Sequence, residues 1–160
     1  IKMAEKVNII VFSGDLDKVL AAFNLALGAA AMEMKVTLFF TFWGLNVIRK
    51  DKKVSRTRGI MRKMLSLVNR GGAKRLPLSR LNMGGLGRSM MKKLMEDSRI
   101  PSVEEMINMA QKMGVEFVAC TTTMGMMGIS REDLIPEVSR LGGVATYLGE
   151  AIEGKINLFI

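Results

Sequence analysis

Residues 6–13 (KVNIIVFS), 35–41 (KVTLFFT), 115–120 (VEFVAC) and 156–160 (INLFI) are nearly continuous in apolar, β-branched and aromatic character. A strand that faces water on one side alternates polar with apolar positions, whereas a strand buried on both faces does not. Runs of this kind predict strands of a parallel sheet covered by helices on both faces, whose strands must be joined by crossovers, usually helices. The intervening sequence supplies them. Leu16, Leu20, Phe23, Leu27, Ala30 and Met34 recur at helical spacing, with Ser13 or Asp15 placed to cap the helix. Ser102-Val-Glu-Glu105 has the spacing of a capping box behind Pro101, and it starts a helix that runs to about Met113 and stops at Gly114. Residues 145–152 read as a further helix. The expected class is α/β: three layers, α/β/α, around a mainly parallel sheet of about five strands, Rossmann- or flavodoxin-like in kind.

A chain of 160 residues is long enough for one domain with a full core, so residues 1–160 are read as a single unit. Two longer apolar stretches, 19–32 and 36–48, raise the question of a membrane span. Each falls short of the roughly 20 apolar residues a span needs, and Glu33 and Lys35 lie between them. A buried helix followed by a buried strand accounts for both. One cysteine cannot form an internal disulfide, and no secretory leader is read at the start, so a cytoplasmic location is expected.

The absence of histidine excludes Ser-His-Asp and Cys-His catalysis, imidazole metal ligation and an imidazole base. Chemistry is left to the thiol, carboxylates, lysines and backbone groups, and no metal or cofactor is expected. Most of the 15 methionines fall at helical spacing (Met106, Met109, Met113) or in the basic segment, and read as adaptable packing. Met124, Met126 and Met127 are the ones expected near the thiol, as a soft apolar wall.

Charge is concentrated. Residues 49–93 hold 15 Lys or Arg against the single acid Asp51, a net +14, so with +9 overall the remainder carries −5. This reads as a basic insertion, residues 49–95, after the second strand. It comprises a short amphipathic helix at 58–68, a Gly/Pro loop, and "MGGLGRSMMKKLMED" leading towards the next helix. It could be a solvated loop, a contact for anionic lipid headgroups, or a docking surface for an acidic partner. Specific nucleic-acid binding is not expected, since the segment lacks stacking aromatics. GGLG at 84–87 neither follows a strand nor precedes Lys-Ser/Thr, so it is a poor phosphate loop.

The one cysteine, Cys120, stands where a predicted strand runs out into "TTTMGMMG". Reactive groups and ligands collect outside the carboxyl ends of strands in open parallel sheets. If a loop with Gly125 and Gly128 curls over the sulfur, its N–H groups lower the thiol pKa. The other reading of Cys120 is a small buried hydrophobe that finishes a strand. Ser13-Gly14-Asp15 and Phe42-Trp43-Gly44 stand at two further strand ends. Ser13, Gly14, Asp15, Trp43 and Gly44 could line the same cleft as Cys120, or serve as a helix cap and a part-buried aromatic.

Four ordered blocks, "KVTLFFTFWGLNVI" (35–48), "NMGGLGRSMMKKLMED" (82–97), "GVEFVACTTTMGMMGI" (114–129) and "GGVATYLGEAIEGKINLFI" (142–160), resemble the DsrE/DsrF-like family, in particular its subgroup with an FFTFWG strand end and a long basic insertion. The resemblance covers essentially the whole chain. It implies a cytoplasmic sulfur-relay protein, a carrier or sulfurtransferase. Cys120 would hold persulfide or thiosulfonate sulfur, and Thr121, Thr122, Thr123, Met124, Gly125 and Gly128 would form the loop that stabilises its thiolate. The implied recipients are a TusA-like carrier or a rhodanese-type sulfurtransferase, and homo-oligomers are common among such proteins. Where the subgroup reads Cys-x-Met-Ser-Met, this chain has Thr122 for the methionine and keeps a hydroxyl at Thr123. With no second cysteine, sulfur bound at Cys120 must leave to another molecule's thiol. The alternative function is a non-enzymatic assembly or membrane-surface adaptor that works through the basic insertion.

Overall fold

The computed structural model describes residues 5–51, 60, 61, 64 and 71–160. Five parallel strands, β1 (Lys6–Val11), β2 (Lys35–Phe40), β3 (Glu116–Cys120), β4 (Arg140–Gly142) and β5 (Ile156–Phe159), form one sheet in the order β4-β3-β2-β1-β5. The expected α/β class is what the chain adopts. Successive strands β1 to β4 step outward in one direction, and β5 returns to the other side of β1.

Right-handed crossovers put helices on opposite faces when the strand order reverses. Helices α1 (Leu16–Ala31) and α3 (Val103–Lys112) cover one face, together with α2 (Leu86–Asp97) at its margin. Helix α5 (Val144–Glu153), on the return connection, lies on the other. The main core is on the first face: Val7, Ile9, Val11, Leu38, Phe40, Phe117 and Ala119 from alternate strand positions meet Leu16, Val19, Phe23, Met106 and Ile107 from the helices. The stripe of α1 that is fully buried is Leu16, Val19, Ala22, Phe23 and Ala26, while the expected Leu20, Leu27, Ala30 and Met34 flank it, half-buried. The Ser102 capping box forms as expected: the Ser102 hydroxyl accepts from Glu105 N, and the Glu105 carboxylate accepts from Ser102 N. Asp15 occupies the N-cap position of α1 without a side-chain cap bond.

Three local expectations change. The apolar run 36–48 is not one strand: β2 ends at Phe40 and Phe42–Ile48 winds into 3₁₀ turns, with Phe42 at φ 44. The stretch after Cys120 is not a loop but a seven-residue helix, α4 (Thr121–Met127), closed by Gly128 at φ 67. Helix α2 lies within the segment read as merely leading to a helix, and the second half of the basic segment is built into the fold. Leu76 and Met95 are buried, Gly72 N donates to Asn46 O, Pro77 O accepts from Leu16 N, and Ser79 holds the Asp17 carboxylate. The helix expected at 58–68 lies outside the described residues apart from Ile60, Met61 and Met64, all exposed. Among the described residues no helix is long and apolar enough to cross a membrane.

Candidate functional site

Cys120 ends β3 and is the N-cap of α4, with φ −70 and ψ 112. Strand alternation turns its side chain, with that of Val118, to the α5 face, away from the main core. There it packs with Phe39 and Val118, and Ile10 and Tyr147 cover the group, the Tyr147 and Phe39 rings lying 5.3 Å apart. The residue is 3% exposed. Parallel register supplies its lateral neighbours. Cys120 pairs with Gly142 of β4, and one step beyond the pair Phe40 and Ala119, Thr41 stands beside it on β2.

Two hydroxyls converge there. Thr41 Oγ1 and Thr123 Oγ1 are 2.9 Å apart, and Phe42 N donates to Thr123 Oγ1 at 3.4 Å. The pair shares one proton between its oxygens, which leaves the second hydroxyl proton for the sulfur. Burial pushes the thiol pKa up. The backbone N–H of Thr123, the hydroxyls of Thr41 and Thr123 and the N–H of Thr122 pull it down and prevail, so Cys120 ionises below the ordinary thiol value. No capping hydrogen bond of ordinary geometry reaches the neutral thiol. The donors matter for the anion, whose full charge they face.

The expected site residues divide. Thr123 is buried with its hydroxyl at the sulfur, whereas Thr121 and Thr122 point outward and Thr122 contributes only its N–H. Gly125 is an ordinary helical residue of α4, and Gly128 terminates the helix. Met124 and Met127 turn into the main core and Met126 is exposed, so Phe39, Val118 and Tyr147, not methionines, make the apolar wall. Ser13, Gly14, Asp15 and Trp43 do come together, but around a separate cavity of about 600 Å³ that Cys120 does not line. Gly44 is not among the lining residues, and a Cβ there would run into the Val11 carbonyl. Thr41 and Tyr147 escaped the sequence reading; the signal for Thr41 is the alignment of two parallel strand ends.

Thr123→Val removes a hydroxyl from the sulfur's surroundings. A hydrogen bond to a charged group is worth about 1.5–3 kcal/mol. Alkylation of Cys120 by iodoacetamide near neutral pH is therefore expected to slow about tenfold or more, with Thr123→Ser restoring it. Stability carries the same signature. A thiol whose folded pKa lies below its unfolded value contributes stability that is complete above the unfolded pKa and is lost as pH falls through the folded one. Urea titrations of wild type against Cys120→Ser should show the wild-type advantage growing as pH rises towards the ordinary thiol value of about 8.5 and levelling off above it. An advantage independent of pH would contradict the donor arrangement.

The comparisons agree with this architecture. Two solved structures, MTH1491 from Methanobacterium thermoautotrophicum (TM-score 0.56, 16% identical, covering 98% of this chain and 99% of that one) and the ychN protein from E. coli (TM-score 0.59, 12% identical, 99% and 100%), share the fold. In sequence, the chain is 40% identical over 159 residues to uncharacterized protein YrkE of Bacillus subtilis, with 99% of each chain covered. It is 31% identical over 163 residues to sulfur carrier protein DsrE2 of Allochromatium vinosum, with 98% of each covered. The family model described as DsrE/DsrF/DrsH-like matches residues 3–159. A parallel five-stranded sheet with its one thiol at the end of β3, matched along nearly its full length by that model, places this chain in the DsrE/DsrF/DrsH-like family.

Proposed function

We propose that the protein is a sulfur-relay carrier in which Cys120 holds sulfane or thiosulfonate sulfur and passes it to a partner's thiol. The observation that carries this reading is the strand-end thiol at the N-cap of α4, beside the Thr122 and Thr123 N–H groups and the Thr41–Thr123 hydroxyl pair, which favour its anion. Family membership and the 31% identity to a protein named a sulfur carrier support it. Attack of the Cys120 thiolate on the outer sulfur of a donor persulfide breaks the donor's S–S bond. Cys120 gains a persulfide and the donor leaves as a thiolate. With tetrathionate the same attack leaves a Cys120 thiosulfonate and releases thiosulfate. Neither exchange needs an outside oxidant or reductant. Burial beside Phe39 and Tyr147 shields the cargo between loading and hand-off. A cytoplasmic setting, a TusA-like or rhodanese-type recipient, and self-association belong to the same reading. The exposed row Val144, Leu148 and Ile152 along α5 supports the last.

Intact-mass spectrometry after incubation with thiosulfate, tetrathionate or polysulfide tests the proposal. The expected result is a reducible adduct of one or more sulfur atoms, or of thiosulfonate, on wild type and none on Cys120→Ser; native conditions in the same instrument report the subunit number. An unmodified wild-type mass with all three donors would remove the carrier role.

A further inference from the structure

The cavity around Ser13 and Trp43 lies at the carboxyl end of β1, where the strand order turns back: β2 flanks β1 on one side and the late strand β5 on the other. In open α/β sheets this reversal is where a crevice forms and small ligands bind. Cys120, two strands away on β3 and facing the other side of the sheet, has no part in it.

The charges around the cavity do not cancel. Lys18 pairs with Asp15 at 2.9 Å, and Arg75 Nε pairs with Asp51 Oδ1 at 3.0 Å. Arg88 also lines the cavity. It donates to the Arg75 carbonyl at 3.0 Å and has no carboxylate partner among the described residues. Of the three cations lining the cavity, Lys18 and Arg75 are thus paired, and Arg88 carries the surplus. Ser13 supplies a second, independent donor. It is 8% exposed, and its Oγ accepts the Asp15 N–H at 3.1 Å, while its own proton has no acceptor among the described residues. A buried hydroxyl with an unused proton is costly unless something fills the space beside it. Trp43, 43% exposed, lines the same cavity and offers an open indole surface.

We propose that this cavity binds a small anionic ligand through a tetrahedral oxyanion head. The head takes hydrogen bonds from the Arg88 guanidinium and the Ser13 hydroxyl, and the rest of the ligand lies against Trp43. Phosphoryl and sulfur oxyanion groups share this chemistry, since both present three oxygens to a planar cationic fork. The assignment does not depend on sulfur carriage at Cys120.

Trp43 is the only tryptophan in the chain, so its fluorescence reports from the cavity wall. The wild type and Cys120→Ser, which cannot react with thiosulfate, are titrated with inorganic phosphate, sulfate, thiosulfate and chloride at constant ionic strength. Saturable changes with the tetrahedral anions, absent with chloride and equal in both proteins, are expected. Tighter phosphate binding would point to a phosphorylated ligand, and tighter sulfate or thiosulfate binding to a sulfur oxyanion. Arg88→Gln should weaken binding at least about tenfold, equivalent to about 1.4 kcal/mol. Should that variant fail to fold by circular dichroism, Arg88→Lys, which keeps the charge and loses the fork, should still bind several-fold more weakly. A response that chloride reproduces, or unchanged affinity in a folded Arg88 variant, overturns the assignment.

Discussion

Alanine at Gly44 is expected to destabilise the protein by more than about 4 kcal/mol, a loss reserved for changes that leave the backbone no room. A Cβ at this position would stand 1.9 Å from the Val11 carbonyl oxygen and 2.7 Å from its carbon. The obstacle cannot step aside. Val11 ends an interior strand, and its carbonyl accepts from Thr41 N at 3.1 Å, while Gly44 N is itself bonded to Phe12 O at 2.8 Å. The 3₁₀ segment Phe42–Ile48 would have to lift away, taking Trp43 from its cavity and the Phe42 N–H from Thr123. Urea unfolding followed by Trp43 fluorescence measures the cost, and alkylation of Cys120 across pH reads the damage to the donors. A variant within about 1 kcal/mol of wild type would show that this turn is far less constrained than its contacts imply.

Phe117→Ala should cost about 3–5 kcal/mol, the range for emptying a buried aromatic site. Phe117 is fully buried, with its ring 5.9 Å from Phe23 at an interplanar angle of 85° and 5.4 Å from Phe40 at 68°. These edge-to-face contacts add to the area buried. Phe117 and Cys120 lie three residues apart on one strand but on opposite faces of the sheet. The urea midpoint should fall with the slope unchanged, and the pH profile of thiol alkylation should stay in place. A profile that moves with stability would mean that the donors at Cys120 depend on the far side of the sheet.

The long elements were legible because local pattern and burial agree in them. KVNIIV, KVTLFF and EFVAC are apolar on both faces and become the interior strands, and the α1 and α3 periodicities match the core they meet. Strand β4 escaped because Arg140-Leu-Gly142 is too short to show a period; it exists through its pairing with β3. Helix α4 escaped because threonines and glycine are poor helix formers, yet Met124 and Met127 bury into the core and hold it. Thr41 at the thiol follows from the β2–β3 register, a long-range fact that no local window contains. The cleft reading joined Ser13 and Trp43 to Cys120 because all stand at strand ends. The face of the sheet that each side chain takes separates them.

The placement of β5 beside β1 also bears on how the chain is made. Val7 pairs with Ile156 and Ile10 with Phe159, so the two strands are among the first and last described segments to leave the ribosome. Until β5 arrives, β1 is an open edge whose unpaired N–H and C=O groups can recruit a strand from another nascent chain. The sheet can assemble from β1 through β4 during synthesis, but one side of β1 stays unpaired until β5 emerges. Slow elongation over the stretch between β4 and β5 would therefore lengthen the interval in which a chaperone, or a neighbouring chain, finds that edge first.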